Sequence, residues 1–382
     1  MFTLNSKEQL KLDVVSRVAQ EKISFQNALK ILDCSESTLF RYLRSYKNNG
    51  VLFVKHKNTN NRPHNRLIQY EEVRIADLCK ELYFDFNRTH ALEMLKKNHD
   101  VQISKSSFNR LCNRRQILKK NIPRKKKRPR HRRDRMKQEG LMLQMDGSPH
   151  YWFGTKKSCL VIAIDDATSE VIYGEFSPTE TTFACMNVIK KVLQTRGIFQ
   201  ILYVDRAGIF GREPLNNFGT VKREGFSELK RCLQKFSIQT IFAQSAEAKG
   251  RVERKFKTLQ DRLVPELRLN RIFTFKEANI YFNEVFLPNH KELFTIAPEN
   301  GVSAFIPLLP SINLDEHFYM GIRRIIKNDH TFSLDGKIHD VINNGINYSG
   351  KQIEIRSYSK NQVRYFIDDT EVEIKKAISD VA

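Results

Sequence analysis

The 382 residues carry 65 Lys and Arg against 43 Asp and Glu, a formal charge of +22, and the length calls for two to four domains rather than one. The excess is local: residues 1–140 hold 33 Lys and Arg against 14 acids and residues 141–382 hold 32 against 29, a concentrated positive field that favours a polyanion, nucleic acid first and an acidic membrane surface second. The sequence has no run near the ~20 apolar residues that cross a bilayer, no apolar signal-peptide core in MFTLNSKEQLK and no CxxC pair, so a cytosolic, non-membrane protein without a zinc ribbon or disulfide scaffold is expected.

In chain order, Leu10, Val14 and Val18 recur at helical spacing between Ser6 and Gln20. Ser24 then caps a helix ending near Leu32, Asp33 and Cys34 make a tight turn, and Ser35 caps a second helix ended by Asn49-Gly50. Two short helices about a short turn read as a helix-turn-helix over residues 1–54, with Ser37, Arg41, Arg44 and Lys47 facing DNA; the plain alternative is a helical hairpin. Residues 55–66 have linker composition. Helices at Glu71 to Tyr83, Arg88 to Asn98 and Ser104 to Ile117 form a second helical unit (67–118), with Arg110 and Arg114 as DNA contacts. Residues 119–140 are a basic linker: Lys119 to Lys137 holds twelve Lys or Arg and one acid. There Arg124, Lys125, Lys126, Lys127, Arg128 and Arg130 would grip phosphates without reading bases.

From Leu141 the pattern changes to strands at Leu141 to Met145, Ser158 to Asp165 and Glu170 to Phe176. A helix (Thr181 to Thr195), a strand (Phe199 to Val204), a helix (Phe226 to Lys235), a strand (Ile238 to Ala243) and a long helix (about Glu247 to Leu267) follow. This order, βββαβαβα, is that of a mixed sheet flanked by helices (141–270). Asp146 ends the first strand and Asp205 another. If those strands are neighbours, both acids enter one crevice, and their repulsion calls for cations, Mg²⁺ (or Mn²⁺) before others. Val252, Phe256, Leu259 and Leu263 face the long helix toward the sheet, and Glu253 sits at the margin beside Gln260, placed to supply a third carboxylate.

The words LQMDGSPHYWFG, AIDDATSEVIYGEF, LYVDRAGIF and AKGRVERKFKTLQDRLVPELRL, in this order and spacing, resemble the catalytic core of DDE-type insertion-sequence transposases, in particular the ISNCY-like group, whose core is of the retroviral-integrase, ribonuclease H-like fold. The resemblance covers Leu141 to about Leu269. By position it implies a triad of Asp146, Asp205 and Glu253, separated by 59 and 48 residues, the same acids reached above. It further implies cleavage and joining of double-stranded DNA with two divalent ions per site, on terminal repeats and target DNA, by a homodimer or larger assembly in the bacterial cytoplasm, at the nucleoid. A non-catalytic DNA-binding regulator and a nuclease without strand transfer are the alternatives.

Around the triad, His150 and Trp152 are placed either to orient water or DNA or simply to pack. Arg206, Lys249, Arg251 and Arg254 flank the acids as phosphate contacts or as surface charge. Asp165 and Asp166 read as turn-capping acids rather than metal ligands. A helical extension (271–312) precedes short alternating runs from residue 313 to 382, with turns at Asp335-Gly336, Ser349-Gly350 and Asp368-Asp369, expected to close as a small all-β barrel.

Overall fold

A computed structural model describes residues 4–55, 67–118, 133–205, 228–243, 250–342, 344–359 and 362–375. The chain divides into two compact units, Met1–Val73 and Arg74–Ala382. In the first, α1 (Ser6–Ala19), α2 (Phe25–Leu32) and α3 (Glu36–Asn49) pack around Val14, Val15, Ala28, Leu39, Phe53 and Val54. The Ser24 hydroxyl accepts from the Asn27 amide at 3.3 Å, and Asp33, at φ 43°, makes the left-handed turn into α3. Ser35 stands at the start of α3 but makes no cap bond; its hydroxyl pairs with those of Ser37 and Thr38.

The second unit is built on a five-stranded sheet. Its strands are β1 (Met142–His150), β2 (Ser158–Asp165), β3 (Val171–Ser177), β4 (Ile201–Val204) and β5 (Gln239–Phe242), in the order β3-β2-β1-β4-β5. The first three are antiparallel, and β4 and β5 join parallel. Because side chains alternate across a strand, Leu143, Met145, Val161, Ala163, Leu202 and Val204 form one face. That face packs under α7 (Thr182–Thr195) and α8 (Glu228–Lys235). Leu160, Ile162 and Ile164 form the other, under α9 (Gly250–Leu269), whose Val252, Phe256, Leu259 and Leu263 meet them. Strand β2 is buried throughout, as a strand covered on both faces must be.

The helical extension runs unbroken as α10 (Phe275–Ile280), a π-helical stretch (Tyr281–Phe286) and α11 (Leu287–Phe294). It covers the outer edge of β3. The Phe176 amide donates to Asn279 Oδ1 at 2.7 Å, and Asn283 both accepts from the Gly174 amide (3.1 Å) and donates to its carbonyl (2.9 Å). Gly174 is needed for that approach, since a Cβ there would stand 2.5 Å from the Phe282 ring. Side-chain amides thus occupy ladder groups that an open edge would expose.

Two features depart from the sequence expectation. The helical segment α4 (Gln69–Glu81, from Arg74 onward), α5 (Arg88–His99) and α6 (Lys105–Arg115) belongs by its contacts to the sheet unit. On α9, Arg262 grips Glu93 at 2.6 and 3.2 Å, Glu266 meets His90 at 2.8 Å, and Arg268 holds Asp85 with two bonds of 2.7 Å. Second, the C-terminal strands fall into two sheets. One has the order β11 (Thr370–Val372), β10 (Gln362–Ile367), β9 (Gln352–Ser359), β6 (Met320–Ile325), and the other β12 (Ile374–Lys375), β8 (Lys337–Val341), β7 (Thr331–Leu334). Both pack on one core containing Phe332, Val341, Ile353, Ile355 and Ile367, but among the described residues no ladder joins them into a closed barrel. The short β11 and β12, separated by one residue, go to different sheets.

Candidate active site

Strand β1 does not end at Asp146, as the sequence suggested, because β2 supplies partners for it as far as His150. Its other edge behaves differently. Strand β4 pairs only with Met142 to Gln144, through Ile201 to Tyr203, so the ladder opens two residues before Asp146. Continuing that register sets Asp205, just after β4, opposite Asp146. Parity decides the face: Asp146 pairs with Ile162, which packs under α9, and Asp205 alternates with Val204, which packs under α7. Both carboxylates therefore belong to the α9 face, on adjacent strands, at the point where the sheet splits. Both are half-buried.

Helix α9 lies along β1 on that face. At one end Arg251 shares Asp166 with Gln144, and at the other Gln260 Nε2 donates to Ser148 Oγ at 3.0 Å. Nine helical residues span about 13.5 Å and four strand residues about 13 Å, so helix and strand run side by side with matched lengths. Glu253 lies about 3 Å along α9 from Arg251, between the two polar contacts, on the same flank as Gln260. It is exposed. Among the described residues, no three His, Cys, Asp or Glu side chains are gathered closely enough to hold a metal ion. Register thus carries two of the expected acids to one level on adjacent strands and leaves the third on α9, and among the described residues the three close no metal cage. A half-open cavity of about 350 Å³ beside α9, lined by His90, Arg262, Glu266, Tyr281 and His290, lies on the flank opposite Glu253.

The two acids of the β2 turn have different roles. Asp165 caps the turn by accepting from the Thr168 amide and hydroxyl (2.8 and 2.9 Å) and the Gly140 amide (2.9 Å), and burial raises its pKa. The Asp166 side chain is fully buried, and its Oδ1 accepts from Arg133, Arg251 and Gln144, each at 2.5 Å, while Oδ2 accepts from the Met136 amide at 2.9 Å. Burial alone would raise its pKa; the Met136 amide, Arg133 and Arg251 outweigh that and hold it below the ordinary carboxylate value. The turn-capping expectation is thus met by Asp165 and corrected for Asp166. Arg251 likewise faces this carboxylate, and its other nitrogen bonds the Arg133 carbonyl, so it holds protein rather than substrate.

Trp152 is core: it is 1% exposed, donates to the Ser148 carbonyl at 3.0 Å and packs edge-on to Phe176. His150 leans on it at 5.2 Å, and burial lowers its pKa. Ser37, Arg41, Arg44 and Lys47 are exposed on α3, as are Arg110 and Arg114 on α6. Arg124 to Arg128, Arg130, Arg206 and Lys249 lie outside the described residues. On the opposite, α7-side face Glu180 crowds β1: its carboxyl carbon would stand 2.7 Å from a Cβ at Gly147.

No family model matches the chain. It is 26% identical over 311 residues to the y4bF protein of Sinorhizobium fredii, named as a transposase, covering 81% of this chain and 66% of that protein. It is 28% identical over 320 residues to the transposase for insertion sequence IS1202 of Streptococcus pneumoniae, covering 73% and 68%. The chain is thus similar in sequence to insertion-sequence transposases. It spans about two thirds of the length of these relatives. Among solved structures it is similar to the HTLV-2 integrase catalytic core domain in complex with magnesium (15% identity, 39% of this chain and 88% of that one, TM-score 0.29). It is also similar to a simian T-cell lymphotropic virus intasome in complex with PP2A regulatory subunit B56 gamma (12%, 80% and 99%, TM-score 0.34). Scores this low leave the fold to be read from the strand order above. For a chain similar to transposases the donor set is apt. Two hard carboxylates on neighbouring strands are what Mg²⁺ takes from a protein when substrate phosphates and water fill its remaining positions.

Proposed function

We propose that the protein binds the ends of a mobile DNA element and catalyses strand cleavage and strand transfer. What supports this reading is the strand register, which, continued past the last paired residues, carries Asp205 to the level of Asp146 on the adjacent strand, with Glu253 on the helix α9 that crosses the sheet there. Asp146, Asp205 and Glu253 would hold the metal. Bound divalent ions, two in the full mechanism, supply charge neutralisation at the scissile phosphate and a more acidic attacking hydroxyl. The chain's own residues orient that centre, Gln260 and Ser148 by fixing α9 to β1. Exposed Ser37, Arg41, Arg44 and Lys47 on α3 read the element end, Arg110 and Arg114 add contacts, and the basic segment Arg124 to Arg130 grips backbone phosphates. Joining two ends requires at least two protomers on the DNA, in the cytoplasm at the nucleoid. The C-terminal sheets, expected as a barrel, serve DNA or inter-subunit contact.

Labelled element ends incubated with a target plasmid and Mg²⁺ test the proposal. Joined products support it, nicks alone indicate a nuclease, and retardation without either a regulator. Asp146→Asn should abolish cleavage and leave end binding within about twofold; continued cleavage by that variant would remove Asp146 from the site.

A further inference from the structure

The buried Asp166 carboxylate has no place in the chemistry just described, yet it joins three segments. Through Gln144 it holds β1 two residues before Asp146, and through Arg251 it holds α9 two residues before Glu253. Through Arg133 and the Met136 amide it holds the end of the basic segment, whose Arg135 also donates to the Asp166 and Ala167 carbonyls (3.3 and 3.2 Å) and to Ser169 Oγ at 2.7 Å. Arg251 closes the triangle by donating to the Arg133 carbonyl. A carboxylate with no exposed surface is tolerable only while such donors are present. Its partners therefore cannot drift independently.

We propose that Asp166 is a positioning residue of the active site: it sets the height of α9 along β1, and so the placement of Glu253 relative to Asp146, and seats the end of the basic segment on the same point. The geometry favours this over simple packing. α9 is fixed to β1 by polar bonds at two levels, Asp166 with Arg251 and Ser148 with Gln260, and Glu253 lies between them. Its apolar stripe packs in a core to which β2 gives Leu160, Ile162 and Ile164, and apolar contact is non-directional and fixes height poorly. The two strand acids alone make an incomplete set of ligands among the described residues, so the position of the first turn of α9 determines whether a third can join them.

The inference rests on the proposed triad, and its test separates the two. Asp166→Asn and Arg251→Gln are made in the full chain, with Asp146→Asn alongside. Removing a group that orients a metal ligand typically costs 10–100-fold in metal affinity or activity. Both variants should therefore raise the Mg²⁺ concentration for half-maximal end cleavage, and weaken Mn²⁺ binding followed by electron paramagnetic resonance, by about tenfold or more, with end affinity within about twofold. Tryptic cleavage after Arg133 and Arg135, read by mass spectrometry, should quicken in Asp166→Asn; Arg251→Lys should restore part of the Mn²⁺ affinity. If Asp166→Asn fails to fold, Arg251→Gln decides alone. Unchanged Mn²⁺ affinity in Arg251→Gln, with Asp146→Asn inactive, overturns the positioning role and leaves the triad standing. Cleavage by Asp146→Asn overturns both.

Discussion

Placing a methyl group at Gly147 tests the crowding beside Asp146. An alanine Cβ would stand 2.7 Å from Glu180 Cδ, 2.8 Å from its Oε2 and 3.0 Å from Cys159 Sγ, where ordinary contact begins at 3.4 Å. Glu180 must retreat by about 0.7 Å and Cys159 by about 0.4 Å, and Cys159 is buried in the α7-side core. Overpacking of this kind costs about 1–3 kcal/mol, against about 0.5–1 kcal/mol gained by replacing a strand glycine with alanine. At the midpoints of both ranges the net loss is about 1.3 kcal/mol, equivalent to roughly eightfold faster exchange through local opening. Native-state hydrogen exchange of the β1 amides measures it directly. Adding Glu180→Ala should recover at least about 0.5 kcal/mol relative to additivity, since the carboxyl group makes the closest contacts. Exchange rates unchanged in Gly147→Ala, or strict additivity in the double variant, would show that Glu180 does not press on β1. End cleavage should fall along with local stability, because Asp146 is the adjoining residue.

Other outcomes follow from burial. The His290 ring, stacked between Phe286 and Phe294, has its pKa pushed down to about 3 by burial, with Lys255 and Arg262 adding to it. The unfolded chain takes that proton near pH ~6.5, so the unfolded state binds more protons between the two values. Stability is complete above about pH 6.5 and declines as pH falls toward 3, by up to about 1.4 kcal/mol per unit. Denaturation midpoints at pH 7.5 and 5 should differ more in the parent than in His290→Gln; equal differences would refute this. Burial pushes the thiols of Cys79 and Cys159 up to about 12 and that of Cys232 to about 11. Iodoacetamide at pH 8 should therefore modify the half-buried Cys34 well before them, and equal labelling of Cys159 would contradict the burial described.

Much of the molecule was legible because its signals are local. Caps at Ser24 and Ser104, the left-handed Asp33 and the Asp335-Gly336 and Asp368-Asp369 turns, with φ positive at all four turn residues, act within a few residues of where they are read. The strand ends were less legible. β1 outruns its apolar run because β2 continues to pair with it, and pairing partners lie outside any local window. The closed barrel failed for the same reason, since the alternation that marks β11 and β12 as strands does not say which sheet takes them.

The sequence by itself determined which stretches are helix and which strand, though not where the strands end, that Asp146 and Asp205 follow apolar strand runs, and that Glu253 lies beside the buried stripe of its helix. These are consequences of periods of 2 and 3.6 residues. Only the tertiary structure set the register that carries Asp205 to the level of Asp146 on the adjacent strand, and among the described residues it leaves Glu253 on α9 without closing a metal cage. It also separated Asp165 from Asp166, identical and adjacent in sequence. Asp165 caps its own turn through Thr168 and takes one distant donor, the Gly140 amide, whereas Asp166 collects side-chain donors 22, 33 and 85 residues away. No local pattern encodes such distant partners; strand register and helix docking bring them together.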